Sequence, residues 1–532
     1  MNAPIYIKSW LNERKFLLWP ALLFILLSGV VQFAAFALSQ NYVISYFAAQ
    51  PEDITLSLQL CYVGILCILP LQNRFLRYFE LKYYFTFNII CGILLSAACI
   101  YTTDIHLFFV IRFLQGVFVC LVVTGSLFLF SGTIPLPYRQ TVAPTFIYGA
   151  VLSGAPLIGI VASQVSLNSD FTNVYKYLIL FLLISLTIIT FGLRSKSHQR
   201  RYPLYQIDWI GALLFLTFLA PLAYTIVYGS KYYWFSDSRI IISTSITITA
   251  AIVFLARELT VKRPMLNLSI LLNPKFMVAM AALGLYYGIK ETINLLFGYA
   301  GTILQWSSPQ ISALTLYNMA GVLIFIVVSA IIVIRYNDAI VYFLLTGFLL
   351  LLGYHIWVYF MLTPDLAFNQ LIIPVFLQGA ASGVLFVPIM VFALKSISPS
   401  DAFTGLTFGA FTRFFSLLNA SAGFYNLQLY YNQMYKEGFL TYITPLDQQL
   451  TERLVSLQQL FRSKGFSADQ AAAAAQASLA RSLAIQDQLL TVRAVFLYIS
   501  IIIAAILLLI LLVMVVKVLN YPGLSRGKTD GQ

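Results

Sequence analysis

Long runs of apolar residues, each broken by a short polar or basic segment, recur from one end of the chain to the other. A bilayer crossing needs about 20 mostly apolar residues. Runs of that kind lie near 17–40, 55–72, 83–101, 107–129, 143–164, 176–193, 209–228, 239–256, 276–300, 312–334, 339–361, 368–394, 405–424 and 490–519. They predict an all-α polytopic membrane protein with about 14 transmembrane helices. Membrane barrels show short segments of alternating polarity instead, and none is found here. The composition agrees, with 60% hydrophobic residues, 10% charged ones and a mean hydropathy of +0.86, outside the balance of a water-soluble domain.

The spacing of these runs divides the chain. A short tail (1–16) precedes a block of about six helices over 17–193. A basic linker (194–275) carries an inserted helix pair over 209–256, and a second block of about six helices spans 276–519 before a tail at 520–532. Six plus two plus six is a transporter layout, in which two symmetry-related halves rock around a site near the middle of the membrane. The stretch 425–489 is predicted to be the one long segment outside the membrane, with helix-like runs over 446–463 and 467–490. It is read either as a solvated hairpin over the pore mouth or as a docking surface for a partner.

Basic residues fix the expected orientation. With the N-terminus inside, Lys8, Arg14, Lys15, Arg74, Arg77, Lys82, Arg139, Arg194, Arg257, Lys262, Arg263, Lys275, Arg335 and Lys395 all fall on the cytoplasmic side. The short loops opposite hold only Lys176, Lys231 and Arg239. This bias places both termini in the cytoplasm. The net charge of +13 is thus a topology signal and not a nucleic-acid footprint. The Glu13-Arg14-Lys15 flank leads into a full-length span, so no cleaved signal is expected.

Candidate chemistry is sparse. The five cysteines, Cys61, Cys67, Cys91, Cys99 and Cys120, all lie in predicted spans and read as packing residues. His106, His198 and His355 are too scattered for a metal site, and no cofactor or metal is expected. Inside the spans the charges are Arg112, Lys290, Glu291 and Arg413, with Asp208 at an edge. An embedded ionisable group is costly and marks function. Glu291 is the acid nearest mid-membrane, suited to loading and releasing a proton as a cavity opens to either side. Arg112 and Glu291 fall at similar depth in opposite halves and are expected to approach across the central cleft. Three embedded cations against one acid favour neutral or anionic amphiphiles over lipophilic dications.

Several motifs carry a resemblance. Arg112-Phe113-Leu114-Gln115-Gly116 is similar to an R-x-x-Q-G signature, and Gly149 to Gly159, with Gly154, Pro156 and Gly159, to G-x-x-x-G-P-x-x-G-G with two glycines replaced. The loop Leu69 to Arg77 looks like a worn G-x-L-x-D-R-x-G-R that keeps Leu71, Arg74 and Arg77 but has Asn73 for the aspartate. Asp208-Trp209, Trp234, Glu258, Arg263-Pro264, Gln378-Gly379 and Arg413 fit the same pattern. Together they resemble the 14-helix drug/proton antiporters (EmrB/QacA type) of the major facilitator superfamily. Members usually carry an aspartate in span one, where this chain offers only Gln32.

The resemblance implies a major facilitator fold without enzymatic activity. It implies proton-coupled efflux of lipophilic small molecules across a bacterial inner membrane. Arg112 would serve proton coupling or substrate response together with Glu291. Gln32, Gln115, Gly116, Gly154, Pro156, Gly159, Lys290 and Arg413 would line or gate the cavity, and Asn73, Arg74 and Arg77 would form a cytoplasmic gate. It also implies a periplasmic adaptor and an outer-membrane channel as partners, with 425–489 as the contact. Export of an endogenous metabolite or lipid-like compound, and a non-transporting scaffold or receptor of the same fold, remain open alternatives.

Overall fold

The computed structural model describes residues 6–36, 40–195, 203–336, 340–444 and 447–520. The first block is six long helices: α1 (Lys15–Ala34), α2 (Pro51–Ile68), α3 (Leu81–Tyr101), α4 (Ile105–Ser131), α5 (Leu136–Asn168) and α6 (Thr172–Gly192). The inserted pair is α7 (Trp209–Tyr228) and α8 (Ser238–Thr260). Then follow α9 (Pro274–Lys290), α10 (Thr292–Thr302), α11 (Ser308–Arg335), α12 (Ile340–Met361), α13 (Phe368–Lys395), α14 (Ala402–Leu440), α15 (Gln448–Ser463) and α16 (Ala468–Asn520).

Among the described residues, 12 helices are long and apolar enough to cross a membrane. The places of the ninth and thirteenth predicted spans are taken by the broken pair α9–α10 and by the more polar α14. The ninth span breaks at Glu291, which is both the C-cap of α9 and the N-cap of α10. The stretch 425–489 is not a separate loop: α14 runs on to Leu440, and the alanine-rich run is continuous with the last span in α16. Helix α15 lies against α16. The two extensions are tied where Asn432 donates to Asp487 and Lys436 pairs with that carboxylate at 3.9 Å.

The two blocks repeat one packing scheme. In the first, α4 packs on α1, α2 and α3, α6 on α3, and α5 on α1. In the second, α13 packs on α9, α11 and α12, α16 on α12, and α14 on α9. Glycines set the tightest crossings, because a side chain would keep the backbones apart. A Cβ on Gly116 of α4 would run into the Cys61 carbonyl of α2, and one on Gly379 of α13 would meet the Asn318 carbonyl of α11. Gln115-Gly116 and Gln378-Gly379 are thus equivalent positions of an internal repeat. The halves meet symmetrically as well, α5 against α11 and α14 against α2. The inserted pair lies on one flank, with α7 touching both α2 and α14.

Antiparallel alternation brings Lys15, Arg74, Arg257, Lys262, Arg263, Lys275 and Lys395 to the same end of the bundle, termed here the basic face.

Candidate functional site

A cavity of about 190 Å³ lies between the halves, walled by α1, α2, α4 and α5 on one side and by α9, α13 and α14 on the other. Its lining is almost wholly apolar, with Val30, Phe33, Leu66, Val123, Val151, Leu283, Phe386 and Met390 among it, and Arg413 is the lining charge. Arg413 Nη2 donates to the Tyr62 hydroxyl at 3.3 Å, joining the second half to the first. Its guanidinium lies 5.6 Å from the Tyr62 ring centre and 5.3 Å from that of Tyr287, within reach of the ring quadrupoles. Arg413 Nε is buried and has no partner among the described residues.

Beside this cavity the chain breaks between α9 and α10. Glu291 sits at the break and accepts from Asn294 Nδ2 at 2.7 Å, and the cations whose fields reach it are Lys290 and Arg413. Gln378 Nε2 donates to the Lys290 carbonyl at 3.2 Å, and Gln378 Oε1 accepts from Asn318 Nδ2 at 2.5 Å. Thr292 Oγ1, on the residue after the break, lies 2.9 Å from His355 Nε2 of α12. His355 Nδ1 is 2.7 Å from the Leu351 carbonyl. A carbonyl only accepts, so Nδ1 carries a proton, and the Thr292 hydroxyl also donates to the Ile289 carbonyl at 2.9 Å.

Arg112 is elsewhere. It is wholly buried inside the first half under the Phe36 ring, 4.6 Å from its centre. Its Nη1 donates to the Gln32 carbonyl at 3.1 Å and to Gln115 Oε1 at 2.7 Å. Gln115 Nε2 in turn reaches Cys99 Sγ at 3.5 Å. Arg112 Nε and Nη2 and Gln32 Oε1 lack partners. Arg112 and Glu291 therefore do not meet: each is engaged within its own half, and Arg413 takes the place beside the acid. Equal depth in the membrane says nothing of which helix face looks into the cleft, and Arg112 is on the face turned to α1.

The remaining sequence candidates divide. Gly154 packs against α1, where an added Cβ would come within 2.7 Å of Leu27 Cδ2. Pro156 and Gly159 lie on the same helix, which continues unbroken through both, and Ala155, just before Pro156, lines the cavity. Asn73, Arg74 and Arg77 lie at the basic face on a short helix, Gln72–Tyr78, that continues α2. Arg74 Nη1 reaches Gln206 Oε1 of the linker at 3.5 Å.

Sequence reasoning missed Tyr62, Tyr287 and His355, because an aromatic or a lone histidine in an apolar run carries no positional signal. It also missed Arg493, a charge inside the predicted last span, whose Nη2 donates to the Leu362 carbonyl at 2.5 Å. That residue was legible from its position alone.

Comparison with known proteins gives a consistent picture. No family model matches the chain. It is 22% identical over 309 residues to the colistin resistance protein EmrB of Acinetobacter baumannii, covering 55% of this chain and 57% of that protein. It is likewise 22% identical over 345 residues to the multidrug export protein EmrB of Escherichia coli, covering 62% of this chain and 64% of that protein. The matched regions thus span less than two thirds of either relative's length. Among solved structures, the peptide transporter POT in complex with sulfate superposes with a TM-score of 0.57 at 11% identity, covering 92% of this chain and 94% of that one. The chain is thus a multi-pass helical membrane protein similar to EmrB export proteins over part of its length, and it shares the repeated helical fold of a solved transporter.

Proposed function

We propose that this protein is a proton-coupled exporter that moves neutral or anionic amphiphiles across a bacterial inner membrane by alternating access, with both termini in the cytoplasm. The observation that carries this reading is an apolar cavity between two repeated halves whose lining cation, Arg413, lies near the acid Glu291. Such a lining accepts a lipophilic body, and the guanidinium accepts a carboxylate or a polar oxygen. Glu291 is the proton carrier in this reading. The break beside it gives the second half a pliable element, as interrupted helices do in other transporters. Arg112 holds α4 to α1 and keeps the first half rigid while the halves rock.

The electrostatics constrain the cycle. Protonating Glu291 removes a negative charge near Arg413 and by itself favours an anionic ligand. Antiport therefore rests on which loaded states let the halves switch, and not on direct competition for one site. At the basic face, Asn73, Arg74 and Arg77 form the gate. The extension built from α14, α15 and α16 is the contact proposed for a periplasmic adaptor and, through it, an outer-membrane channel.

The test is proton movement in proteoliposomes under an imposed pH gradient, challenged with a lipophilic acid or a lipophilic cation, for wild type and Glu291→Gln. Proton flux opposite to substrate movement, elicited by the acid and abolished in the variant, is the expected result. Flux that survives the substitution removes Glu291 from the mechanism. Flux in the substrate's own direction replaces antiport by symport, and no flux with any amphiphile tried leaves the scaffold reading in its place.

A further inference from the structure

The inserted pair, α14 and the segment 261–273 enclose a second crevice, about 170 Å³ in volume, on the flank of the molecule away from the central cavity. Its walls include Phe215, Phe254, Leu266, Leu268, Phe408 and Phe411, and Leu255 on its rim is 47% exposed. Depth is consistent across three helices. Phe215 is six residues from the start of α7, Phe254 six from the end of α8, and Phe408 six from the start of α14. At 1.5 Å per residue each lies about 9 Å below the basic face, just inside the boundary between headgroups and acyl chains.

The segment that roofs this crevice is fixed in place. Glu258 accepts from the Leu266 amide at 2.8 Å, Asn267 Nδ2 donates to Asp401 at 3.1 Å, and Asn273 Nδ2 donates to the Ser396 carbonyl at 2.7 Å. These contacts engage the nearby acids Glu258 and Asp401, while Asp208 is engaged by Arg257 at 2.8 Å. Lys262, Arg263 and Lys275 on the same segment and at its end are exposed, with no acidic partner among the described residues.

We infer that this crevice is a binding site for an anionic glycerophospholipid of the leaflet at the basic face. One acyl chain fills the apolar pocket, and the headgroup phosphate rests against Lys262, Arg263 and Lys275. Charge complementarity selects the occupant: a zwitterionic lipid fills the pocket equally well but gains less from three unpaired cations. The site also has a mechanical consequence. Phe408 and Phe411 face the crevice, while Gly409, Ala410 and Arg413 of the same helix face the central cavity. A bound chain thus bears on α14 from behind and holds the helix that presents Arg413. The inference needs only that the basic face lies at a membrane surface, and it stands whether or not the protein transports.

The experiment is lipid binding to the full-length protein, purified and delipidated in detergent, followed by native mass spectrometry and thermal unfolding. The probes are phosphatidylglycerol and phosphatidylcholine of identical acyl chains. Three variants are compared with wild type: Lys262→Gln/Arg263→Gln/Lys275→Gln, the crevice-filling Ala251→Phe, and a control that removes Lys8, Arg14 and Lys15 from the same face. The expected result is one phosphatidylglycerol retained at least tenfold more tightly than phosphatidylcholine, lost in the first two variants and kept in the control. Equal retention of both lipids overturns the inference, as does phosphatidylglycerol binding that survives both the triple substitution and the filled crevice. Loss in the control to the same extent as in the triple variant also overturns it, since the attraction is then a property of the whole face. Ala251→Phe is informative only if it unfolds as cooperatively as wild type; if it does not, the exposed triple variant and its control decide.

Discussion

The side chain of Gln378 donates to the main-chain carbonyl of Lys290 at 3.2 Å. In the first half Arg112, on the equivalent helix, donates to the carbonyl of Gln32 at 3.1 Å. Each half thus uses the helix carrying its Gln-Gly pair to hold the carbonyl end of its first helix. The halves differ in what is held. In the first, a buried cation grips an intact helix; in the second, a neutral amide supports the residue before a break, beside an acid. The half with the fixed charge reads as the rigid one, and the half with the break as the one that moves.

Replacing Gln378 by leucine leaves the Lys290 carbonyl without its donor, while Asn318 keeps its bond to the Val375 carbonyl at 2.9 Å. One buried unsatisfied group costs about 1–3 kcal/mol. The expected outcome is a lower thermal midpoint, with Gln378→Glu no better, because a carboxylate cannot donate to the carbonyl. Thermal unfolding in detergent checks it, and a wild-type midpoint in Gln378→Leu would show that the contact does not hold the break.

The glycine crossings make a sharper contrast. Gly116→Val and Gly379→Val each drive a side chain into backbone, at Cys61 and Asn318, where nothing flexible can give way. Overpacking of this kind costs roughly 1–3 kcal/mol or more, and both variants are expected to lose folded protein. Gly288→Ala, with open space around the new Cβ, is expected to be neutral or slightly stabilising, as alanine is favoured over glycine in a helix. Size-exclusion profiles and unfolding midpoints of the three variants are the measurement.

Asp208 supplies a pH dependence. Its partial burial pushes its carboxyl up, but the Arg257 guanidinium, 2.8 Å away, and the Gly211 amide at 2.9 Å outweigh that and hold it below its ordinary value of 3.8. A group depressed in the folded state contributes stability that is fully present above its unfolded value and is lost as pH falls through the folded one. The contribution is therefore constant from neutrality down to about pH 5, begins to fall near the ordinary value of 3.8 and is lost only as pH drops through the lower folded value. Asp208→Asn keeps a cap on α7 but loses the ion pair. Its midpoint is expected to lie below wild type at pH 7, with the difference closing in acid. A difference that stays constant with pH would mean that the pair does not titrate with folding.

How far the sequence could be read follows from what each feature depends on. Membrane spans were legible because a bilayer imposes length and apolarity on any helix that crosses it. The break at Glu291 was not, because Lys290-Glu291 sits in a run that satisfies the same criterion. The continuity of α16 was hidden too: the alanine-rich stretch and the apolar one both favour helix, so the change in polarity at about 490 reads as a boundary although the backbone has none. The Gln-Gly pairs were visible singly, at Gln115-Gly116 and Gln378-Gly379, but Val375 stands where the repeat would need a second arginine. Only packing reveals the pairs as one repeat. Arg413 was legible as an embedded charge, whereas its partners Tyr62 and Tyr287 come from helices distant in sequence.

Arg413 yields the prediction that bears most directly on ligand chemistry. Among the described residues it contributes the one formal charge to the cavity lining, where it is held by the Tyr62 hydroxyl and the Tyr62 and Tyr287 rings. A hydrogen bond to a charged group is worth about 1.5–3 kcal/mol, or roughly 10- to 100-fold in affinity. Arg413→Gln is therefore expected to weaken binding of a lipophilic carboxylic acid by that factor, leave a neutral amphiphile of the same size within a few-fold of wild type, and relieve the exclusion of a lipophilic cation. Arg413→Lys keeps the charge but loses the planar fork between the two rings and is expected to fall in between. Equilibrium binding of the three ligands to wild type and both variants separates the effects. If acid and cation weaken together, Arg413 shapes the cavity without selecting by charge, and the preference for anionic substrates has to be given up.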